Sequence, residues 1–242
     1  MSLIGFAEAD PSCAIETLEP LGDGPHWRQL CTCLLGGQPV DPPMLPAPYS
    51  GFMTTEARAS AGTTVHTVGH GTLASDAFTA LLNGAHIECV ADVRSFPGSR
   101  HNPQFGRQEM ERWMPAAGIG YVWTSNLGGR RRPVEGSKHV ALRHVSFRAY
   151  ADYMETPDFL TGVEALLTLV GERSTAVMCS ESVWWRCHRR LLADYLVLVK
   201  GANVDHLMHD GRLFSHTLTD GVRLDRGALI YDVEATLPLQ TI

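Results

Sequence analysis

The chain has 242 residues, 44% hydrophobic and 19% charged, which is ordinary globular composition with enough length for one sizeable core. No apolar run reaches the roughly 18 to 20 residues that cross a bilayer, and the opening "MSLIGFAEAD" lacks the basic-then-apolar layout of a secretory signal, so a cytoplasmic protein with no membrane partner is expected. The formal charge of −6 sits at the front: residues 1–60 carry seven acids against two arginines, which leaves 18 basic and 19 acidic side chains for the rest and room for a local basic patch.

Residues 1–61 hold eight of the fourteen prolines, including "GGQPVDPPMLPAPYSG" (36–51). Few backbone donors and extended backbone make this a Pro-rich arm or linker, with a single α/β domain over 62–242. From residue 62 strands and helices alternate. "TTVHTVG" (63–69) is a β-branched strand, "ASDAFTALLNG" (74–84) a helix, "HIECVADV" (86–93) a buried strand and "GRQEMERWMPAAG" (106–118) a helix capped by Gly118. "IGYVWT" (119–124) is the third strand. Helices follow at 147–154 and after Thr156, an N-cap with Pro157 at the first helical position. "TAVMC" (175–179) is the fourth strand, 188–201 a helix ending on glycine, and "NVDHLMHDG" (203–211) the fifth strand. Strands separated by helices predict a mostly parallel sheet covered on both faces.

In such a sheet the loops after the strands meet along one edge, where ligands bind. The unusual residues occupy those loops: "GHG" (69–71), "DVRSFPGSR" (92–100), "LGGR" (127–130) and "CSESVWWRCHR" (179–189). Each has a plain structural role beside a chemical one. Gly69 and Gly71 suit a tight turn, His70 a satisfied loop position, and Asp92 a cap or an ion pair with Arg94 as readily as proton transfer. Arg130 to Arg132 suit a solvated loop, whereas Arg94 and Arg100, flanking a proline-glycine turn that also carries Ser99, suit an anionic ligand.

The fourth loop admits three chemistries. Cys179 can be a nucleophile in a phosphatase-like loop, although six residues separate it from Arg186 and the turn has no glycine. Cys179, Cys187 and His188 can bind zinc, but neighbours in sequence rarely face one ion and a fourth ligand is missing, so no metal is assigned here or at "CTC" (31–33). The six unevenly spaced cysteines read as reduced thiols, and a Cys179–Cys187 redox pair stays open. In the third chemistry Glu181 is the working carboxylate, or equally a salt bridge that fixes the loop, and His188 and Arg189 open a helix whose positive end favours an anion.

The ordered blocks "TVGHGT", "VADVRSFPGSR", Phe105, "GIGYVWTSNLGGR", "FRAYADYMETPDF", "AVMCSES", "CHRRLLADYL" and "VDHL" resemble the domain-of-unknown-function family 488, from about residue 64 to about 209. The resemblance implies a Rossmann-like three-layer α/β sandwich and brings no activity or cofactor with it. Its matching positions are Gly69, His70, Asp92, Arg94, Pro97, Ser99, Arg100, Gly128, Gly129, Cys179, Glu181, Cys187, His188 and Arg189; Gly71 stands where the family has serine.

The sequence therefore points to an enzyme acting on a phosphate-bearing nucleotide or nucleic-acid substrate. Glu181, Asp92, His188 and Cys179 are its catalytic candidates, and His70, Arg94, Ser99, Arg100, Arg130, Cys187 and Arg189 its binding candidates. The alternatives are a non-catalytic nucleic-acid or phosphate-binding module, and a thiol enzyme with a low-pKa Cys179.

Overall fold

The computed structural model describes residues 62–98 and 101–233; the Pro-rich arm expected over 1–61 lies outside the described residues. Strands β1 (Thr64–Gly69), β2 (Cys89–Asp92), β3 (Gly120–Trp123), β4 (Thr175–Cys179), β5 (Asn203–Leu207) and β6 (Leu213–Ser215) form one sheet in the order β3-β2-β4-β1-β5-β6. The first five strands run parallel, and β6 pairs antiparallel with β5. Between them lie α1 (Ser75–Gly84), α2 (Arg107–Ala116), α3 (Val145–Tyr153), α4 (Pro157–Glu172) and α5 (Arg189–Leu198). A hairpin of β7 (Val222–Asp225) and β8 (Ala228–Tyr231) follows.

Because successive side chains of a strand point to opposite faces, β1, β2, β4 and β5 each feed two cores. Val68, Val90, Ala176, Met178 and Leu207 pack with Phe78 and Leu82 of α1 and Met110 and Met114 of α2. Val65, Ala91, Val177 and Val204 pack with Tyr150 of α3, Phe159 and Val163 of α4, and Leu191 and Leu196 of α5. Every position of β2 and β4 is buried, which is why both read as continuous apolar runs. The result is a Rossmann-like three-layer sandwich. No helix among the described residues is long and apolar enough to cross a membrane.

Local signals set the ends of these elements. Thr156 accepts a hydrogen bond from the Phe159 amide at 3.4 Å with Pro157 in the first turn, and Gly118 and Gly201 take φ of +79° and +69° where α2 and α5 give way to strands. The fifth strand is shorter than its sequence predicts. It stops at Leu207, and a turn carrying Gly211 at φ +82° reverses the chain into β6, so residues 208–211 are hairpin rather than strand.

A buried polar chain fixes this side of the sheet. Asp194 accepts from His216 Nε2 (2.9 Å), so His216 Nδ1 accepts from His206 Nε2 (2.9 Å) and His206 Nδ1 from the Thr67 hydroxyl (2.7 Å). The remaining Asp194 bonds come from the Thr219 amide and the Tyr231 hydroxyl. Trp184, from the loop after β4, stacks flat on His206 at 4.1 Å, so the chain also seats that loop.

Burial, then the neighbouring His216 and Arg189, lower the His206 pKa from 6.5 to about 3. The folded state thus holds His206 neutral where the unfolded chain protonates it. Its stabilisation is complete above about pH 6.5 and is lost as pH falls toward about 3, roughly 2 kcal/mol of it by pH 5. Urea unfolding from pH 7 to pH 5 should show this decline, and His206→Gln, which keeps a donor and an acceptor but does not titrate, should make it shallower by about that amount while the share of the other buried imidazoles, His70 among them, remains. An unchanged slope in the variant would remove His206 as its source.

Candidate functional site at the sheet edge

The carboxyl ends of the parallel strands lie along one edge, and their loops are stitched together by backbone. The His70 amide donates to the Cys179 carbonyl and the Gly71 amide to the Ser180 carbonyl, each at 3.0 Å. Two glycines make this approach possible. A Cβ on Gly69 would overlap the Glu181 carbonyl, and Gly71, at φ +54°, faces the Ser182 hydroxyl so closely that a side chain there would collide with it. The "LGG" of the third loop works the same way, with Gly128 against Ser95 and Gly129 against the His188 ring.

Beneath these loops Asp92 and Arg94 form a buried two-point ion pair. Asp92 Oδ1 accepts from Arg94 Nε (2.8 Å) and from the Arg94 amide (3.0 Å), while Oδ2 accepts from Arg94 Nη2 (2.6 Å) and the Tyr121 hydroxyl (2.7 Å). Arg94 Nη1 lies 3.2 Å from His70 Nε2, and His70 Nδ1 lies 2.9 Å from the Gly71 carbonyl. A carbonyl only accepts, so Nδ1 carries the proton and Nε2 receives the guanidinium. Burial and then the Arg94 charge lower the His70 pKa to about 4, which keeps the ring in this neutral form, stacked on Phe105 at 4.2 Å.

Above the pair opens a cavity of about 620 Å³, a size common for small-molecule sites. His70, Arg94, Arg130, Cys179, Glu181, Cys187 and His188 all line it, so the cavity brings together seven of the residues singled out from the sequence. Asp92 and Arg189 do not reach it. Asp92 is fully buried with its oxygens engaged, which is the structural role weighed for it above, and Arg189, 1% exposed, donates to the Glu181 carbonyl and so pegs the fourth loop from behind. Ser99 and Arg100 lie outside the described residues.

Other lining residues escaped the sequence reading. Ser95, Asn102, Ser146 and Ser180 carry no spacing signal of their own, and neither do Phe96, which is 73% exposed, and Phe147. Tyr121, which completes Asp92, alternates on β3 with no sign that its hydroxyl is needed.

At the back wall Cys179, Cys187 and His188 converge. Their Sγ and Nδ1 atoms all lie within 4.8 Å of one another, with His188 Nδ1 3.5 Å from Cys187 Sγ and 3.9 Å from Cys179 Sγ. The two thiols diverge in acidity. Hydrogen bonding with Cys187, then burial, pushes Cys179 up to about 12. Cys187 is buried too, yet its Cys179 partner and the charge and amide of Arg189 outweigh that burial and draw it down to about 6. Of the two, Cys187 has the surroundings that favour a thiolate, with the Arg189 charge and amide beside it at the start of α5.

Removing one partner of the buried ion pair strands the other. Asp92→Asn should cost about 3–5 kcal/mol in urea unfolding, whereas the double change Asp92→Leu with Arg94→Met, which removes both charges, should cost less than Asp92→Asn alone. If the double variant is the weaker of the two, the pair is not what holds these loops.

Among curated proteins and among solved structures no match is found. The family model described as "Domain of unknown function DUF488" matches residues 74–196, a little over half of the 242-residue chain and inside the span of the sequence resemblance. With the matching fold and loop glycines already in place, the chain belongs to the DUF488 family of domains of unknown function.

Proposed function

We propose that the protein is an enzyme acting on a phosphate-bearing substrate of the nucleotide or nucleic-acid class, bound in the edge cavity. One observation carries the reading: Arg130 and Arg186 line the cavity without a carboxylate partner among the described residues, and Glu181 is the one carboxylate among its lining residues. Cations left unpaired around a concave site favour an anion. The exposed ring of Phe96 at the same cavity offers a face on which a base can stack.

Arg94 is already neutralised by Asp92, so in this reading it shapes the floor while Arg130 and Arg186 hold phosphate oxygens. The Glu181 carboxylate, exposed and in no ion pair among the described residues, is free to accept or deliver a proton at the bound substrate.

A thermal-shift and binding panel of nucleotides, short single- and double-stranded nucleic acids and sugar phosphates tests this. One class should bind, Arg130→Ala and Arg186→Ala should each weaken it by roughly tenfold or more, and Glu181→Gln should keep binding while losing turnover of that ligand class. Turnover unchanged in Glu181→Gln would remove the catalytic role, and binding by no class would overturn the reading altogether.

A further inference from the structure

We propose that Cys179 Sγ, Cys187 Sγ and His188 Nδ1 bind one soft divalent metal ion of the zinc type, with its fourth position open to the edge cavity. Two thiolates and an imidazole are the donor set that such ions take. At metal–sulfur and metal–nitrogen bonds of about 2.3 and 2.0–2.1 Å, a tetrahedral site separates its sulfur and nitrogen ligands by about 3.5 Å. The separations from His188 Nδ1 are 3.5 Å to Cys187 Sγ and 3.9 Å to Cys179 Sγ, so these ligand edges need at most a few tenths of an ångström of adjustment.

Adjacency in sequence is no obstacle here. Cys187 has extended backbone at the end of a 3-10 turn and His188 turns into α5 with φ −59° and ψ −17°, which aims both side chains at Cys179 on the end of β4. The imidazole also lacks an ordinary partner. His188 is 9% exposed, and the hydrogen-bond partners of its Nδ1 among the described residues are the two sulfurs. A buried polar ring in that position calls for an explanation, and a metal ion is a partner that all three groups can share. Gly129 packs against the Nδ1–Cγ edge of the ring, where any side chain would collide with it.

All three ligands line the cavity, so a water or a substrate oxygen takes the fourth position, as in catalytic rather than structural zinc sites. That open position rests on the cavity reading above; the three-ligand site itself does not.

The experiment uses the full chain, kept reduced, stripped with a chelator and titrated with Co²⁺. A sulfur-to-cobalt charge-transfer band should rise to saturation at one ion per chain and be displaced by Zn²⁺. Cys187→Ser, Cys179→Ser and His188→Gln should each weaken it severely, while Cys89→Ser and the pair Cys31→Ser with Cys33→Ser should leave it intact. In the unaltered chain Zn²⁺ should also protect Cys179 and Cys187 from alkylation, mapped by mass spectrometry, which needs no variant to fold. Absence of the band, or a band that survives Cys187→Ser and vanishes with the Cys31 and Cys33 change, would overturn the site, as would alkylation of both cysteines at the same rate with and without zinc. A cobalt band in a protein that binds no member of the anion panel would uphold the metal site and sink the substrate reading alone.

Discussion

One buried guanidinium organises the sheet edge. Arg189, on the first turn of α5 and 1% exposed, has no acidic partner among the described residues and spends a donor on the carbonyl of Glu181. A charge in that position penalises other positive charge around it and rewards negative charge. Both consequences are visible: Arg189 adds to what holds His70 and His206 neutral, and it helps draw Cys187 toward the thiolate. The fourth loop, whose Glu181, Cys187 and His188 face the cavity, is held in shape by this contact and by the stacking of Trp184 on His206.

The edge therefore separates two uses of charge. At the floor of the cavity Asp92, Arg94, Tyr121 and His70 form one connected hydrogen-bonded network. At the cavity itself the side chains of Arg130, Arg186 and Glu181 are in no ion pair among the described residues, and the sulfur–imidazole cluster sits at the back. Rigid support under unpaired groups is the arrangement a binding site needs.

Much of the fold was legible because the sheet is buried on both faces. β4 appears in the sequence with the limits it has in the structure, and Thr156, Gly118 and Gly201 mark helix ends by chemistry that acts within a turn. Long-range choices were not legible. β6 and the β7–β8 hairpin carry weak alternation and depend on what they pack against, and the fifth strand reads too long in the sequence because its turn residues, "MHDG", follow the mixed strand "NVDHL" without a break. The site shows the same division. Its loops could be listed from the strand ends, but which members face the cavity depends on packing: Asp92 and Arg189 turn inward, Glu181 and Arg130 turn outward, and the convergence of Cys179, Cys187 and His188 is set by a 3-10 turn that spacing alone does not reveal.

Asp194 bears on how much of this chain makes a self-sufficient folding unit. It sits on α5, within the stretch that matches the family model, yet the groups bonded to its carboxylate, from His216, Thr219 and Tyr231, all come from beyond residue 196. A fragment trimmed to the matched stretch would lose all three donors to this carboxylate. The shortest piece that satisfies its own interior runs through Tyr231, so the antiparallel strand and hairpin at the end of the described chain are integral to the domain rather than appended to it.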